Sequence, residues 1–264
     1  MQTASFTDQM NRKISIPFPP KRIISLVPSQ TELLFDLGLA NEVVAITKFC
    51  VHPVDQCKLK SKIGGTKKFN MDLIRSFKPD LIIGNKEEND KDQIEQLMLE
   101  FNVWMSDIND LNSALEMITG VGKLTGTERQ ATVMRLQIEA DFANLKLLNF
   151  GKATRIAYLI WKNPYMLAGQ NTFIADLIQR SGCVNAVQDN RYPEMTLEEI
   201  KDLKPDLIFL SSEPYPFKDK HIGEFRQSCP QAEVIIVDGE MFSWYGSRLL
   251  KATAYLQTLF TKLG

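Results

Sequence analysis

What this chain lacks narrows it quickly. No apolar run approaches the roughly 20 residues that a membrane-spanning helix needs. Net charge is almost absent: 31 lysines and arginines stand against 32 aspartates and glutamates, for a formal net charge of -1. That balance gives no electrostatic reason to expect nucleic acid or an anionic membrane surface as a partner. Histidine is scarce, and neither His52 nor His221 stands at motif spacing from a nucleophile. No Gly-x-Ser-x-Gly elbow occurs, and Gly120-Val-Gly-Lys-Leu-Thr-Gly126 fits neither nucleotide-loop pattern. The cysteines, Cys50, Cys57, Cys183 and Cys229, form no dense framework and fit reduced thiols at least as well as disulfides. The first residues carry no basic region followed by an apolar stretch. The sequence as it stands is therefore expected in the cytoplasm, or in the periplasm if a leader has been removed.

What is present is a repeat. Asp72-Leu-Ile-Arg-Ser-Phe-Lys-Pro-Asp-Leu-Ile-Ile83 aligns without a gap on Glu198-Glu-Ile-Lys-Asp-Leu-Lys-Pro-Asp-Leu-Ile-Phe209. Each copy reads as a short helix, a proline turn that stops it, and a buried strand. A fainter echo precedes each copy: Arg22-Ile-Ile-Ser-Leu26 resembles Arg155-Ile-Ala-Tyr-Leu159, and each is followed by an amphipathic helix opening near Thr31 or Thr172. The chain is read as α/β, with two similar lobes of mainly parallel sheet. Residues 1–126 form the N-terminal lobe, 127–149 a connecting helix of about six turns at 3.6 residues per turn, and 150–264 the C-terminal lobe. A ligand cleft is expected between the lobes, and a monomer is expected for a binder of this shape.

Along the first lobe, residues 1–20 read as an extended, proline-punctuated lead-in. A strand is expected from Arg22 to Val27, a helix opening at Pro28 and ending at Gly38, and a strand from Val43 to Thr47. A long irregular segment from Phe49 to Phe69 follows; such loops are more often functional than idle. A helix near Asp90 to Phe101, a strand around Val103 and a final helix from Ser247 to Lys262 complete the reading.

Ligands of open parallel sheets sit beyond the carboxyl ends of the strands. There the sequence offers Pro28 and Ser29, then Phe49, Cys50, His52, Thr66 and Lys67 of the long loop, and Asn85, Glu87 and Glu88. The second lobe offers Trp161, Tyr192 and Glu213, the last at the place equivalent to Glu87. Its final loop adds Glu240, Phe242, Trp244 and Tyr245. Aromatic platforms with a few polar groups suit a large, flat, partly apolar ligand; the alternative is that these rings pack the lobe junction. Cys50 and His52, with Cys57 close by, raise the question of a metal, since thiolate and imidazole ligate zinc, iron or copper. A cleft glutamate would have to complete that set. A histidine hydrogen-bonded within its loop is the other reading. Asp72 and Glu198 lie in the first turns of equivalent helices, with Asn70 and Thr196 as caps. They either complement the helix dipole or form a symmetric pair of surface acids for a basic two-fold partner. An enzyme with Glu87 and Glu240 as acid and base would need a raised carboxylate pKa in a closed cleft, and no nucleophile or cofactor motif accompanies them.

Arg22-Ile-Ile-Ser-Leu-Val-Pro-Ser-Gln-Thr-Glu-Leu-Leu34, Ile63-Gly-Gly-Thr66, Asn70-Met-Asp-Leu-Ile74 and Lys78-Pro-Asp-Leu-Ile82 together resemble the helical-backbone substrate-binding proteins of ABC importers, which take up vitamin B12, ferric siderophores and haem. The resemblance runs from about Pro20 to Leu256. It implies two α/β lobes bridged by one long helix, no enzymatic activity and no intrinsic cofactor. It also implies a metal chelate as ligand, a cobalt corrinoid or an iron complex, and an ABC permease as partner. One acid per lobe would dock on the permease, and these fall on Asp72 and Glu198. The ligand-contacting aromatics of vitamin B12-binding members map near His52, Asn85, Trp161 and Tyr192; only the last two are aromatic here. The leading expectation is a binding protein that stacks its chelate on Trp161, Tyr192 and Trp244, with Lys67, Glu87 and Glu240 as polar contacts and His52 able to reach the metal. The alternative is a cytosolic protein that holds a bare transition metal through Cys50, His52, Cys57 and nearby glutamates.

Overall fold

The computed structural model describes residues 2–145 and 154–263. Two compact units divide the chain. The first takes Met1–Ile108, Asn112–Glu139 and Tyr245–Arg248; the second takes Asn109–Leu111, Ala140–Trp244 and Leu249–Gly264. Neither unit is one continuous stretch of sequence.

The first unit begins with a hairpin where an extended lead-in was expected. Strand β1 (Thr3–Thr7) pairs antiparallel with β2 (Lys13–Pro17), in register from Thr3 opposite Pro17 to Thr7 opposite Lys13. Asp8 closes the turn: its Oδ1 accepts from the backbone N–H of Met10 and of Arg12, each at 2.9 Å, and Asn11 takes the left-handed conformation. The alternation Lys-Ile-Ser-Ile in β2 was the missed signal, since period two marks a half-buried strand.

After the hairpin come β3 (Ile23–Ser25), α1 (Pro28–Asp36), β4 (Val43–Ile46), α2 (Val54–Lys58), β5 (Ser61–Lys62), α3 (Met71–Phe77), β6 (Leu81–Asn85), α4 (Lys91–Met98) and β7 (Val103–Ser106). The expected irregular segment between Phe49 and Phe69 thus contains a short helix and a short strand. β5, β4, β3, β6 and β7 lie side by side in that order, all parallel. The residues of β3, β4, β6 and β7 are nearly all buried, as strands covered on both faces require, while the two residues of the edge strand β5 are exposed. Helix α5 (Leu111–Thr125) and helix α6 (Glu128–Ala143) follow. The division between the units falls inside α6, after Glu139. The part of the expected connecting helix beyond 145 lies outside the described residues.

The second unit holds β8 (Arg155–Trp161), β9 (Tyr165–Leu167), α7 (Phe173–Arg180), β10 (Val184–Asn185), β11 (Glu194–Met195), α8 (Leu197–Asp202), β12 (Leu207–Ser211), α9 (Ile222–Ser228), β13 (Glu233–Val237), α10 (Glu240–Ser243) and α11 (Leu249–Leu263). β8, β12 and β13 are parallel neighbours; β9 and β11 add an antiparallel edge, and β10 pairs with β8 in parallel. One core cluster joins Ala157, Leu159, Ile208 and Leu210 of the sheet to Ile200 and Phe225 of the helices.

The repeat folds as the sequence led us to expect. Asn70 caps α3 by accepting from Leu73 N at 3.0 Å, and Thr196 caps α8 by accepting from Glu199 N at 3.3 Å. Lys78 and Lys204, the lysines of the two Lys-Pro-Asp turns, both adopt positive φ, 46° and 49°. The arginine that precedes each first strand completes the joint. Arg22 Nε donates to Phe77 O at 2.5 Å, while Arg155 donates to the equivalent Leu203 O. In return the carboxylate of Asp80 accepts from Arg22 N, and that of Asp206 from Arg155 N.

Candidate functional site

In the first unit the carboxyl ends of the strands rest on a layer of small polar side chains. Thr31 Oγ1 donates to Val27 O at 2.9 Å, has Ser25 Oγ at 2.7 Å and lies 3.1 Å from Cys50 Sγ. Thr47 Oγ1 is 3.2 Å from the same sulfur. Cys50 is therefore an internal fastener, and burial pushes its thiol pKa up against the opposing hydrogen bonds. Cys57 donates to His52 O at 3.2 Å, and burial lifts its pKa to about 11. Lys62 Nζ binds the carbonyls of both cysteines. A thiol held protonated in this way is a poor metal ligand. Among the described residues no group of three or more histidine, cysteine, aspartate or glutamate side chains is placed to hold a metal ion. The expected assembly of Cys50, His52, Cys57 and a glutamate is not found there. His52 itself is half-buried.

Above this layer, the loop around Gly64 presents Thr66 and Lys67. Gly64 has φ +117°, and a Cβ there would meet Lys68 O at 2.4 Å, so only glycine allows the loop to close. Lys67 Nζ donates to Glu87 O at 2.8 Å. Asn85, expected to touch ligand, is a buried loop organiser instead. Its Oδ1 accepts from Glu87 N and Glu88 N, and its Nδ2 donates to Ser106 Oγ at 3.0 Å. This Asx-type turn sets Glu87 and Glu88 at the end of β6. Phe49 is the large aromatic on this surface: it is 51% exposed, with Lys48 Nζ 5.0 Å from its ring centre and Val51 and Val54 also exposed nearby in sequence.

The final loop divides between the units. Tyr245, in the first unit, is buried and donates to Glu88 Oε1 at 2.7 Å; burial, then the neighbouring Glu88 charge, keeps the phenol protonated. Arg248 Nε meets Glu32 Oε2 at 2.9 Å, with both side chains almost fully buried. Pro28 opens α1 half-buried, and Ser29 is buried behind it.

In the second unit, Trp161 ends β8 and is 39% exposed, with its ring edge-on to Tyr215 at 5.7 Å. Tyr192 is half-buried, and the Arg191 guanidinium stands 5.8 Å from its ring centre. Glu240 is half-buried at the start of α10. Trp244, read as a stacking platform, is buried: its indole N–H donates to Glu213 Oε1 at 2.8 Å, beside Ser243 Oγ at 2.7 Å. Burial raises the Glu213 pKa; the two hydrogen bonds pull the other way. Gly239 makes this packing possible, since a Cβ there would lie 2.4 Å from Ser211 Oγ and 2.7 Å from Glu213 Cγ. Phe242 belongs to the core instead of the ligand face, packed against Tyr158, Phe209 and Tyr255. Of the three expected stacking rings, Trp161 and Tyr192 remain accessible.

Sequence reasoning missed Tyr215, which flanks Trp161, and the group formed by Lys162, Tyr165 and Glu224, in which lysine and phenol both donate to the carboxylate. Burial alone would raise the Glu224 pKa, but those donors lower it. No repeat or motif spacing marks these residues. Asp72 and Glu198 are where the repeat put them: their side chains are 93% and 81% exposed in the first turns of α3 and α8.

Comparison with known proteins gives a consistent result. The model of the family described as periplasmic binding protein matches residues 23–231. An ABC transporter substrate-binding lipoprotein of Bacillus subtilis (strain 168), YvrC, is 28% identical over 212 residues, covering 76% of this chain and 67% of its own. A vitamin B12-binding protein of Pectobacterium carotovorum is 23% identical over 92% of this chain and 90% of its own. Among solved structures, the periplasmic vitamin B12-binding protein BtuF of Vibrio cholerae superposes with a TM-score of 0.79 at 21% identity, covering 93% of this chain and 98% of its own.

Proposed function

Given that the chain belongs to the periplasmic binding protein family, we propose that it is the solute-binding component of an ABC-type importer, with a metal chelate of the corrinoid, haem or ferric-siderophore class as ligand. The observation that carries this reading is the presence of accessible aromatic side chains together with polar loop residues in each unit. Phe49 stands with Thr66, Lys67 and Glu87 in the first unit, and Trp161 and Tyr192 with Glu240 in the second. A flat chelate offers apolar faces to such rings and a polar rim to such loops. The names of the similar proteins support the class of ligand.

The partner is an ABC permease, engaged through Asp72 and Glu198. These acids occupy equivalent helical positions, project into solvent and pair with surface cations on their own helices, Arg75 and Lys201. Among the described residues no helix is long and apolar enough to cross a membrane, which suits a component that delivers its ligand to a separate membrane partner.

The test is titration of the purified protein with cyanocobalamin, haem and a ferric siderophore, followed by absorbance and calorimetry. Saturable one-to-one binding of one of them is the expected result. Failure of all three, or binding that survives Trp161→Ala together with Phe49→Ala undiminished, would remove the stacking reading.

A further inference from the structure

We propose that His221 is a positioning residue for the Trp161 side chain: as a neutral imidazole with its proton on Nε2 it braces Tyr215 against Trp161, and a proton added at Nδ1 loosens that support. That Trp161 meets a ligand rests on the solute-binding reading; the brace itself does not.

Of the three tryptophans, Trp104 and Trp244 are buried and Trp161 is 39% exposed. A ring that stands clear of the core keeps one orientation only where a neighbour holds it. That neighbour is Tyr215, whose ring meets the indole edge-on at 5.7 Å and 71°. The backbone of Tyr215 is tied to the same strand end, its N–H donating to Ile160 O at 3.3 Å. Behind Tyr215 stand Phe217 at 4.7 Å and His221 at 5.6 Å, and His221 meets Phe217 edge-on at 5.5 Å. Phe217 belongs to the core cluster of the second unit, so the rings run from core to surface with His221 among them.

His221 is 7% exposed and ends the short helical turn Asp219–His221 that leads into α9. Its tautomer follows from a donor that cannot change: the backbone N–H of Lys218 donates to Nδ1 at 2.9 Å. Nδ1 therefore carries no proton, and the neutral ring carries its proton on Nε2. Nε2 faces Tyr215 Oη at 3.5 Å, the outer limit of a hydrogen bond. A second proton would sit on Nδ1, against the Lys218 N–H. Two donors cannot share that bond, so the turn or the ring must move. Either movement takes away what Tyr215 leans on.

The charges around the ring favour the neutral form. Lys162, next after β8, and Lys220, in the turn itself, oppose a positive imidazole, while Glu224 of α9 favours one. Glu224 is already engaged by Lys162 and Tyr165, both of which donate to it. Burial first, and the two lysines after it, hold the His221 pKa below the ordinary histidine value. The unfolded ring thus takes up a proton more readily than the folded one. The brace is intact above about pH 6.5 and is lost as pH falls through the lower folded value.

The experiment uses the full chain carrying fluorotryptophan and nitrogen-labelled histidine, followed by NMR between about pH 4.5 and 8. At neutral pH the His221 ring is expected in the Nε2–H form. On acidification the Trp161 fluorine signal is expected to move with the same midpoint as the His221 ring, while that of Trp104, 2% exposed, stays in place. His221→Leu removes the acceptor and is expected to give the acid position of the Trp161 signal already at neutral pH. His221→Asn returns an acceptor to the Lys218 N–H and takes up no proton, so it is expected to restore the signal and free it from pH. Tyr215→Leu is expected to leave His221 titrating and the Trp161 signal flat. One pH unit below the His221 midpoint about one-tenth of the rings remain neutral, so the parent is expected to bind a chelate about tenfold more weakly than His221→Asn does. A proton on Nδ1 at neutral pH, a Trp161 signal that ignores the His221 titration or still follows it in Tyr215→Leu, or equal affinity of the parent and His221→Asn in acid overturns the proposal. Should the His221 variants fail to fold, the coincidence of midpoints in the parent and its loss in Tyr215→Leu decide. If the signals respond as expected and no chelate binds, the brace stands and the solute-binding reading alone falls.

Discussion

The two copies of helix, Lys-Pro-Asp turn and strand fold to the same plan but are finished differently. In both, an arginine ahead of the first strand reaches the carbonyl that ends the helix, and the aspartate of the turn takes a backbone N–H from that arginine. In both, the strand that follows pairs in parallel in the same register, Ile23 opposite Leu81 and Ile156 opposite Leu207. The helix starts differ. α3 is capped by the neutral Asn70 alone, whereas α8 carries a full capping box in which the Glu199 carboxylate accepts from Thr196 N at 2.7 Å. The surroundings of the exposed acid differ too: Asp72 shares Arg75 with Glu100, while Lys201 lies 3.6 Å from Glu198. The shared joint fixes where the strand begins, so it tolerates little change. The helix start faces solvent and has been free to diverge.

The largest expected effect tests the shared part. Asp80→Ala and Asp206→Ala each remove a charged acceptor of backbone N–H groups, worth about 2 kcal/mol. Chemical denaturation should show similar losses for both; a loss at one site with none at the other would break the equivalence. Next come the caps. Asn70→Ala and Thr196→Ala should each cost about 1 kcal/mol, with the larger loss at Thr196, whose removal also frees Glu199 from the box.

These joints show how far sequence reaches. The repeat, the parallel strands, the caps at Asn70 and Thr196 and the exposure of Asp72 and Glu198 were legible because each depends on residues close in sequence. The N-terminal hairpin was legible in principle, through its period-two alternation, and was read as an extended lead-in. The final loop was not legible. Phe242, Trp244 and Tyr245 look like loop aromatics available to a ligand, yet Phe242 fills the core, Trp244 is held by Glu213 and Tyr245 by Glu88. Those partners lie 31 and 157 residues away, and nothing local in a sequence marks such a contact. Cys50 and Cys57 failed as metal candidates for the same reason: proximity in sequence said nothing about the threonines and carbonyls that occupy their sulfurs.

A smaller effect of opposite sign probes the turns. Lys78 and Lys204 hold positive φ, which costs a side chain roughly 1–2 kcal/mol, while glycine adds back about 0.5–1 kcal/mol of unfolded-chain entropy. Lys78→Gly and Lys204→Gly should therefore each stabilise by about 0.5 kcal/mol. A clear destabilisation at either lysine would mean that its side chain contributes more than the turn.

The finest distinction between the copies is in their response to acid. Glu199 accepts from the backbone and side chain of Thr196, and those bonds hold its pKa below the usual carboxylate value; Asn70 does not titrate. A lowered folded pKa means that the unfolded chain binds the proton more readily. The contribution from Glu199 is thus fully present above the unfolded pKa and is lost as pH falls through the lower folded one. Glu199→Gln should leave acid unfolding shallower at the lower edge of the carboxylate range, with stability near neutral pH slightly reduced. The matching change beside the other cap, Asn70→Asp, should run the opposite way, adding to the first helix a titrating cap whose support disappears in acid. If denaturation curves recorded from pH 3 to 7 show the same slope for the parent and both variants, the capping box confers no pH sensitivity, and the two helix starts differ in form alone.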